Sequence, residues 1–160
     1  MIQGFLVHLV LVVIYLALTG DVSFVNIVFG VAIAYGVMLV FDGATQQANS
    51  YSRRILGLAA FSVYFVRILI IANLEVAREI LTPGYQMTPR LLRYNVAGMT
   101  DLQITWLANA ITLTPGTLSV DLDPETDCLY IHAMYGDDRD ALVAGLDELK
   151  TRLLKGVFGQ

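Results

Sequence analysis

The chain has 160 residues, 56% of them hydrophobic, with a mean hydropathy of +0.64 and a formal net charge of −4. Soluble domains average about 45–50% apolar residues, so part of this chain is built to meet lipid. Arg53, Arg54, Arg67 and Arg78 balance Asp21, Asp42, Glu75 and Glu79 up to Leu81, which leaves the whole net charge in the residues that follow. An acidic tail without a basic cluster argues against nucleic acid and against anionic headgroups as partners. A single cysteine, Cys128, excludes an intrachain disulfide, a CxxC pair and a cysteine-based zinc site.

A helix needs about 20 apolar residues to cross a bilayer core of roughly 30 Å. Three stretches meet that need, at about 4–19, 22–41 and 53–74. The break at Thr19-Gly20-Asp21 admits only a tight turn, so the first two form a hairpin. The first lacks a basic leader region and the second follows at once, so cleavage as a signal peptide is not expected. The third continues to about Leu81, where Pro83-Gly84 stops it. At about 1.5 Å per residue it outruns the apolar thickness, and its last two turns are expected to project into water.

Within these spans, Gly30 with Ala34 and Ala32 with Gly36 are small pairs that let helices approach closely. Arg67 is the one ionised residue at membrane depth, and it must snorkel or meet a neighbouring subunit. His8 is expected to pack, not to relay protons. No Asp, Glu or Lys lies inside a span, although such residues are what cation and proton carriers place there. Arg78, Arg90 and Arg93 against Arg53 and Arg54 favour a cytoplasmic carboxyl terminus in a multi-pass protein of the cell membrane.

Residues 1–81 are thus a membrane part, 82–89 a linker and 90–160 a soluble domain. Leu92, Tyr94 and Val96 alternate with Arg93 and Asn95 as a first strand. Thr100-Asp101-Leu102-Gln103 is a capping box opening a helix to about Leu113. The apolar residues of that helix, Leu102, Ile104, Trp106, Leu107, Ala108, Ala110 and Ile111, surround it, so a sheet covers one side only. The membrane surface, the foot of the third helix or another polypeptide must cover the rest, with protein contact preferred.

Thr114-Pro115-Gly116-Thr117 breaks the helix, and Leu118, Val120 and Leu122 alternate with Ser119, Asp121 and Asp123 as a second strand. Asp123 to Asp127 turn the chain, and Leu129, Ile131 and Ala133 line one face of a third strand. The last helix, about 138–155, aligns Leu142, Leu146, Leu149 and Leu153 and pairs Glu148 with Arg152. The fold class is a membrane all-α part of three transmembrane helices followed by a small α+β two-layer domain, βαββα.

Chemistry is sparse. Asp121, Asp123, Glu125, Asp127 and His132 offer metal donors, but an EF-hand's glycine and distant glutamate are missing, and a solvated hairpin accounts for the run. There is neither a phosphate loop nor a nucleophile elbow, and no base is placed to activate a hydroxyl. No catalytic, cofactor-binding or metal residue is assigned, and no enzyme activity is expected.

The segments Ala72-Asn73-Leu74-Glu75-Val76-Ala77, Leu107-Ala108-Asn109-Ala110-Ile111-Thr112-Leu113-Thr114-Pro115-Gly116-Thr117-Leu118-Ser119-Val120-Asp121 and Leu129-Tyr130-Ile131-His132-Ala133 carry a resemblance over nearly the whole chain. The chain resembles the E subunit of the Mrp-type multisubunit sodium/proton antiporters, departing at Ala110, where many relatives are expected to have serine. The resemblance implies a complex that exchanges cytoplasmic sodium for external protons, with large multispan antiporter-like subunits as partners carrying the ion path. It implies an accessory role in assembly or stability. Asn109, Thr112, Thr114, Pro115, Gly116 and Thr117 would then shape the helix-to-strand turn. Arg67, Asn73, Glu75 and Trp106 would be structural or interface residues. The rival class is a stand-alone membrane-anchored adaptor whose tail recruits another protein.

Overall fold

The computed structural model describes residues 2–42, 49–84 and 87–159. They fall in two compact units divided between Leu56 and Gly57. The expected linker, 82–89, includes positions 85 and 86, which lie outside the described residues.

In the first unit, α1 (Ile2–Thr19) and α2 (Phe24–Asp42) form the expected hairpin. Gly20 turns the chain with φ +67°, a backbone that side chains resist. The Asp21 carboxylate accepts from the Ser23 N–H and hydroxyl, both at 2.9 Å, and Ser23, the N-cap of α2, accepts in turn from the Asn26 N–H at 3.4 Å. Tyr15 donates to the Asn26 side chain at 3.0 Å, and the Asn26 amide reaches back to Thr19 at 2.8 Å. A methyl on Gly30 would lie 2.8 Å from the Tyr15 ring. Of the two small pairs, Gly30/Ala34 therefore makes the helix seam, while Gly36 faces open space. His8 meets the Val31 carbonyl at 3.1 Å and tilts against Tyr35, the packing role expected of it.

The helix α3 (Asn49–Leu81) is 33 residues long, and its part from Gly57 onward belongs to the second unit. There follow β1 (Arg90–Asn95), α4 (Asp101–Leu113), β2 (Thr117–Asp123), β3 (Cys128–Ala133) and α5 (Arg139–Leu153), which runs on into a π-helical turn over Leu154–Phe158. The three strands are antiparallel in the order β1-β3-β2. Leu92 stands opposite Ile131 and Tyr94 opposite Leu129, so the alternation read along β1 and β3 delivers one apolar face. Leu107, Ile111, Leu146, Leu149 and Leu153 from α4 and α5 close over it.

One expectation is corrected. Leu118, Val120 and Leu122 do not share a face, because the β2 register shifts between Ser119 and Asp121 and leaves Val120 as the extra residue of a bulge. Ser119 and Leu122 consequently pair with the buried Ile131 and Leu129 and Leu118 pairs with His132, while Leu118, Val120 and Leu122 all stay exposed. The Ser119 hydroxyl turns inward to the Ala108 carbonyl on α4, at 3.1 Å.

The third helix, whose foot is one of three covers weighed for the domain, meets it along the helix middle. Phe61 is buried in the domain's core, and Tyr64, Phe65 and Ile68, at one- and two-turn spacing, pack against the same cluster. Burying one such phenylalanine stabilises by roughly 1.5–3 kcal/mol. The opposite face keeps Val63, Val66, Ile70 and Leu74 exposed.

Candidate subunit-docking site

The turn after α4 is held by its own hydroxyls. Thr114 Oγ1 donates to the Ala110 carbonyl at 3.0 Å, and Thr117 Oγ1 donates to Ile111 and Thr114 carbonyls at 2.7 and 3.0 Å. The Ile111 and Thr114 carbonyls also accept the Thr114 and Thr117 N–H groups, both at 3.1 Å, so the helix end is held by backbone and hydroxyl together. Thr112 Oγ1 accepts from the Ser119 N–H at 3.1 Å, which ties the bulge of β2 to α4. Pro115 follows the cap, and Gly116 takes φ +89° with the Tyr135 ring 3.3 Å from where a Cβ would stand. At the other end, Thr100 and Gln103 form the reciprocal capping box. Every hydroxyl of the Thr-Pro-Gly-Thr string, and that of Thr112, thus satisfies backbone of this chain.

Concave regions along α3 hold several of the residues singled out from the sequence. A groove of about 460 Å³ runs between α3 and α4, with Phe61, Phe65 and Ala110 as its floor and Trp106 and Asn109 on its α4 wall. A cleft of about 340 Å³ on the other flank brings Arg67 together with Thr114, Thr117 and Glu148. Arg67 is exposed there, beside α4 and α5. Glu75 lines a third space of about 400 Å³ with Arg78, Glu79, Thr82 and Tyr135. Asn73 is exposed and donates to the Leu69 carbonyl of its own helix at 2.7 Å. The residues singled out from the sequence are therefore spread over three places, not gathered in one site.

Contacts that sequence reasoning passed over fasten α3 to the domain. The Arg152 guanidinium sits 4.3 Å from the Tyr64 ring centroid while its Nε donates to Glu148 at 2.8 Å. Gly57 and Gly156 touch backbone to backbone. The i, i+4 pairs Phe61/Phe65 and Tyr64/Ile68 were a signal for the first contact, but nothing local announces the second.

The acidic hairpin is occupied by its own turn. Asp123 accepts from the Thr126 hydroxyl at 2.7 Å and from the Glu125 N–H at 2.9 Å, and these bonds, the hydroxyl's first, hold its carboxyl below the usual carboxylate range. Among the described residues no three His, Cys, Asp or Glu stand close enough together to hold a metal ion.

Residues 8–156 match the Na+/H+ ion antiporter subunit family. The chain belongs to that family, as its E subunit. It is 26% identical over 149 residues to the E subunit of the Na(+)/H(+) antiporter of Alkalihalophilus pseudofirmus, covering 93% of this chain and 94% of that one. A chain in the structure of the membrane-bound sulfane sulfur reductase, an archaeal respiratory membrane complex, is 29% identical and superposes with a TM-score of 0.51, over 85% of each chain. A chain of the Mrp complex from Dietzia sp. is 31% identical, with a TM-score of 0.49, over 62% of this chain and 94% of that chain.

The E subunit of this family is a component of a multisubunit Na+/H+ antiporter, a transporter and not an enzyme class. Membrane association follows from membership. Among the described residues one helix, at Arg53–Leu81, is long and apolar enough to cross a membrane by length and composition, and apolar helices at Gln3–Thr19 and Phe24–Val40 are shorter.

Proposed function

We propose that this chain is an accessory component of the antiporter, needed for assembly or stability of the complex and not a carrier of the ion path. The supporting observation is the charge inventory of the apolar stretches. Apart from Asp21, at the turn between α1 and α2, the segments 1–41 and 55–72 hold Arg67 as their single ionised side chain. Carboxylates and lysines at membrane depth are the usual means of moving protons and cations, and these segments have none to offer.

On this proposal α1, α2 and α3 are the membrane helices and the carboxyl-terminal domain from 90 to 160 is on the cytoplasmic side of the cell membrane, with the face of α3 from Gly57 to Ile68 that packs on that domain lying with it and not in lipid. The two shorter helices, of 18 and 19 residues, sit near the low end of the roughly 17–25 residues a crossing takes. The motif residues Asn109, Thr112, Thr114, Pro115, Gly116 and Thr117 act as structure, and Arg67, Asn73, Glu75 and Trp106 are offered to neighbouring subunits.

The test is isolation of the chain from its native membrane in mild detergent, paired with transport by the chain alone in vesicles. Recovery of several larger multispan subunits, with no sodium movement by the reconstituted chain, is expected. A lone chain, or one bound to a soluble enzyme, would point to the adaptor class instead. Sodium moved against a pH difference by the chain alone would overturn the accessory role.

A further inference from the structure

Composition would let α3 cross a bilayer, but what is packed along it does not. The domain accompanies α3 from Gly57, which touches Gly156, to Glu79, which shares a space with Tyr135. Arg67 stands at the midpoint of the apolar helix Arg53–Leu81 and is exposed. Three residues before it, the Tyr64 ring carries the Arg152 guanidinium at 4.3 Å, and Arg152 is paired with Glu148 while both side chains stay half exposed. A crossing would therefore bring Arg67, Arg152 and Glu148 to the middle of the hydrocarbon, where ionised groups are most costly.

The side of α3 turned away from the domain is uniformly apolar. Leu56, Val63, Val66, Ile70, Leu74 and Leu81 follow one another at one- and two-turn spacing and are 53–83% exposed. The charges are sorted about this stripe. Arg53, Arg67 and Arg78 are exposed and stand fourteen and eleven residues apart, close to four and three helical turns, so they share one edge of it. Among the described residues none of the three makes an ion pair. Glu75 and Glu79 lie toward the domain, in the space shared with Tyr135. On the other edge Ser62 and Asn73 donate to carbonyls of α3 itself.

We propose that α3 lies along the membrane surface instead of crossing it, with its outer stripe seated in one phospholipid leaflet and Arg53, Arg67 and Arg78 paired with headgroup phosphates. An apolar stripe edged by basic residues is the pattern of a helix held in the interfacial plane. The arginine edge decides for lipid. It extends over about 37 Å at 1.5 Å per residue, and a protein partner would need an anion placed at each of three separate points, whereas a leaflet presents phosphates along the whole length. Arginine stems reach from an apolar face to that level by snorkelling. The inference rests on the membrane placement proposed above and deepens it. With α1 and α2 crossing and α3 not, the amino terminus falls on the same side of the membrane as the domain.

The test uses the full chain in its assembled complex, reconstituted in vesicles of phosphatidylcholine and phosphatidylglycerol. In a cysteine-free background, Cys128→Ser in this chain, single changes Val63→Cys, Val66→Cys, Ile70→Cys, Leu74→Cys and Leu81→Cys are spin-labelled. Depth is read from collisions with oxygen against a water-soluble nickel chelate. One shallow depth is expected for all five, about 5–10 Å below the phosphates. A depth that peaks at about 15 Å near Val63 and Val66 and vanishes toward Leu81 would show a crossing helix and overturn the proposal. Labels shielded from both reagents, as under a neighbouring subunit, or open to water throughout would overturn it too. The combined change Arg53→Glu, Arg67→Glu and Arg78→Glu is expected to lower the oxygen-to-nickel ratio at position 70 about twofold, because anionic headgroups then repel that edge. An unchanged ratio would overturn the phosphate pairing. Co-purification of the large subunits and transport by the chain alone are read separately, so the accessory reading stands or falls independently of these depths.

Discussion

The backbones of Gly57 on α3 and Gly156 in the C-terminal π-helical turn meet with no side chain between them. A Cβ on Gly156 would stand 2.7 Å from the Gly57 carbonyl oxygen and 2.6 Å from Phe61 Cβ, while one on Gly57 would stand 3.2 Å from the Gly156 oxygen. The contact is asymmetric, and so is the expected response to substitution. Gly156→Ala forces backbone apart and should cost about 1–3 kcal/mol. Gly57→Ala meets a neighbour that must yield only slightly and gains up to about 1 kcal/mol of helix propensity, so it should be near neutral. Thermal denaturation of the two variants in detergent checks the difference; equal stabilities would show that the glycine contact does not hold α3 to the domain.

Gly116→Val should destabilise the domain by about 1–3 kcal/mol, because a β-branched residue is strained at φ +89° and its side chain would press on the Tyr135 ring. Assembly should fall with it. Unchanged melting and unchanged recovery of partner subunits would refute the role of the turn.

Thr117→Val keeps the shape of the side chain and removes the hydroxyl that serves the Ile111 and Thr114 carbonyls. A loss of about 1 kcal/mol is expected, larger than for Thr105→Val, whose hydroxyl bonds to the exposed start of α4. Paired denaturant melts would decide it.

Arg152 serves α3 through the Tyr64 ring and α5 through Glu148. The ion pair is half exposed at both ends and contributes little, about 0.3–0.5 kcal/mol for such a helical pair. The cation over the ring contributes about 0.5–1 kcal/mol or more where water is excluded. Arg152→Ala should therefore cost more than Glu148→Gln. A double-mutant cycle with Tyr64→Leu measures the ring term directly, and a coupling of zero would remove it.

Tyr94 is buried, and burial first, then the 2.6 Å hydrogen bond it donates to Asp147, pushes its phenol well above the ordinary value. A raised pKa means that the folded domain favours the protonated form. Its contribution is complete below the unfolded tyrosine value of about 10 and is lost as pH rises through the folded value. The melting temperature should fall more steeply above about pH 10 in the native chain than in Tyr94→Phe. Parallel slopes for the two would mean that this phenol is not linked to folding.

Much of the architecture was legible because it is local. Apolar runs bounded by Gly20 and Pro83 marked the helices, the Thr100/Gln103 box marked the start of α4, and the alternation Leu92, Tyr94, Val96 marked β1. Each depends on neighbours two to four residues apart, a distance over which backbone geometry and side-chain pattern are coupled. The string from Asn109 to Thr117 carried the family resemblance in the same local way. Other features waited for the tertiary structure. The bulge at Val120 arises because Ser119 finds a carbonyl on α4 while Leu122 must still reach Leu129. The lie of the domain along the middle of α3 arises because Phe61, Tyr64, Arg152 and the two glycines, distant in the chain, fit one another. Periodicity assigns a residue to a face, but which surface covers that face is a matter of shape and hydrogen bonding between segments far apart in sequence, and only the folded chain decides it.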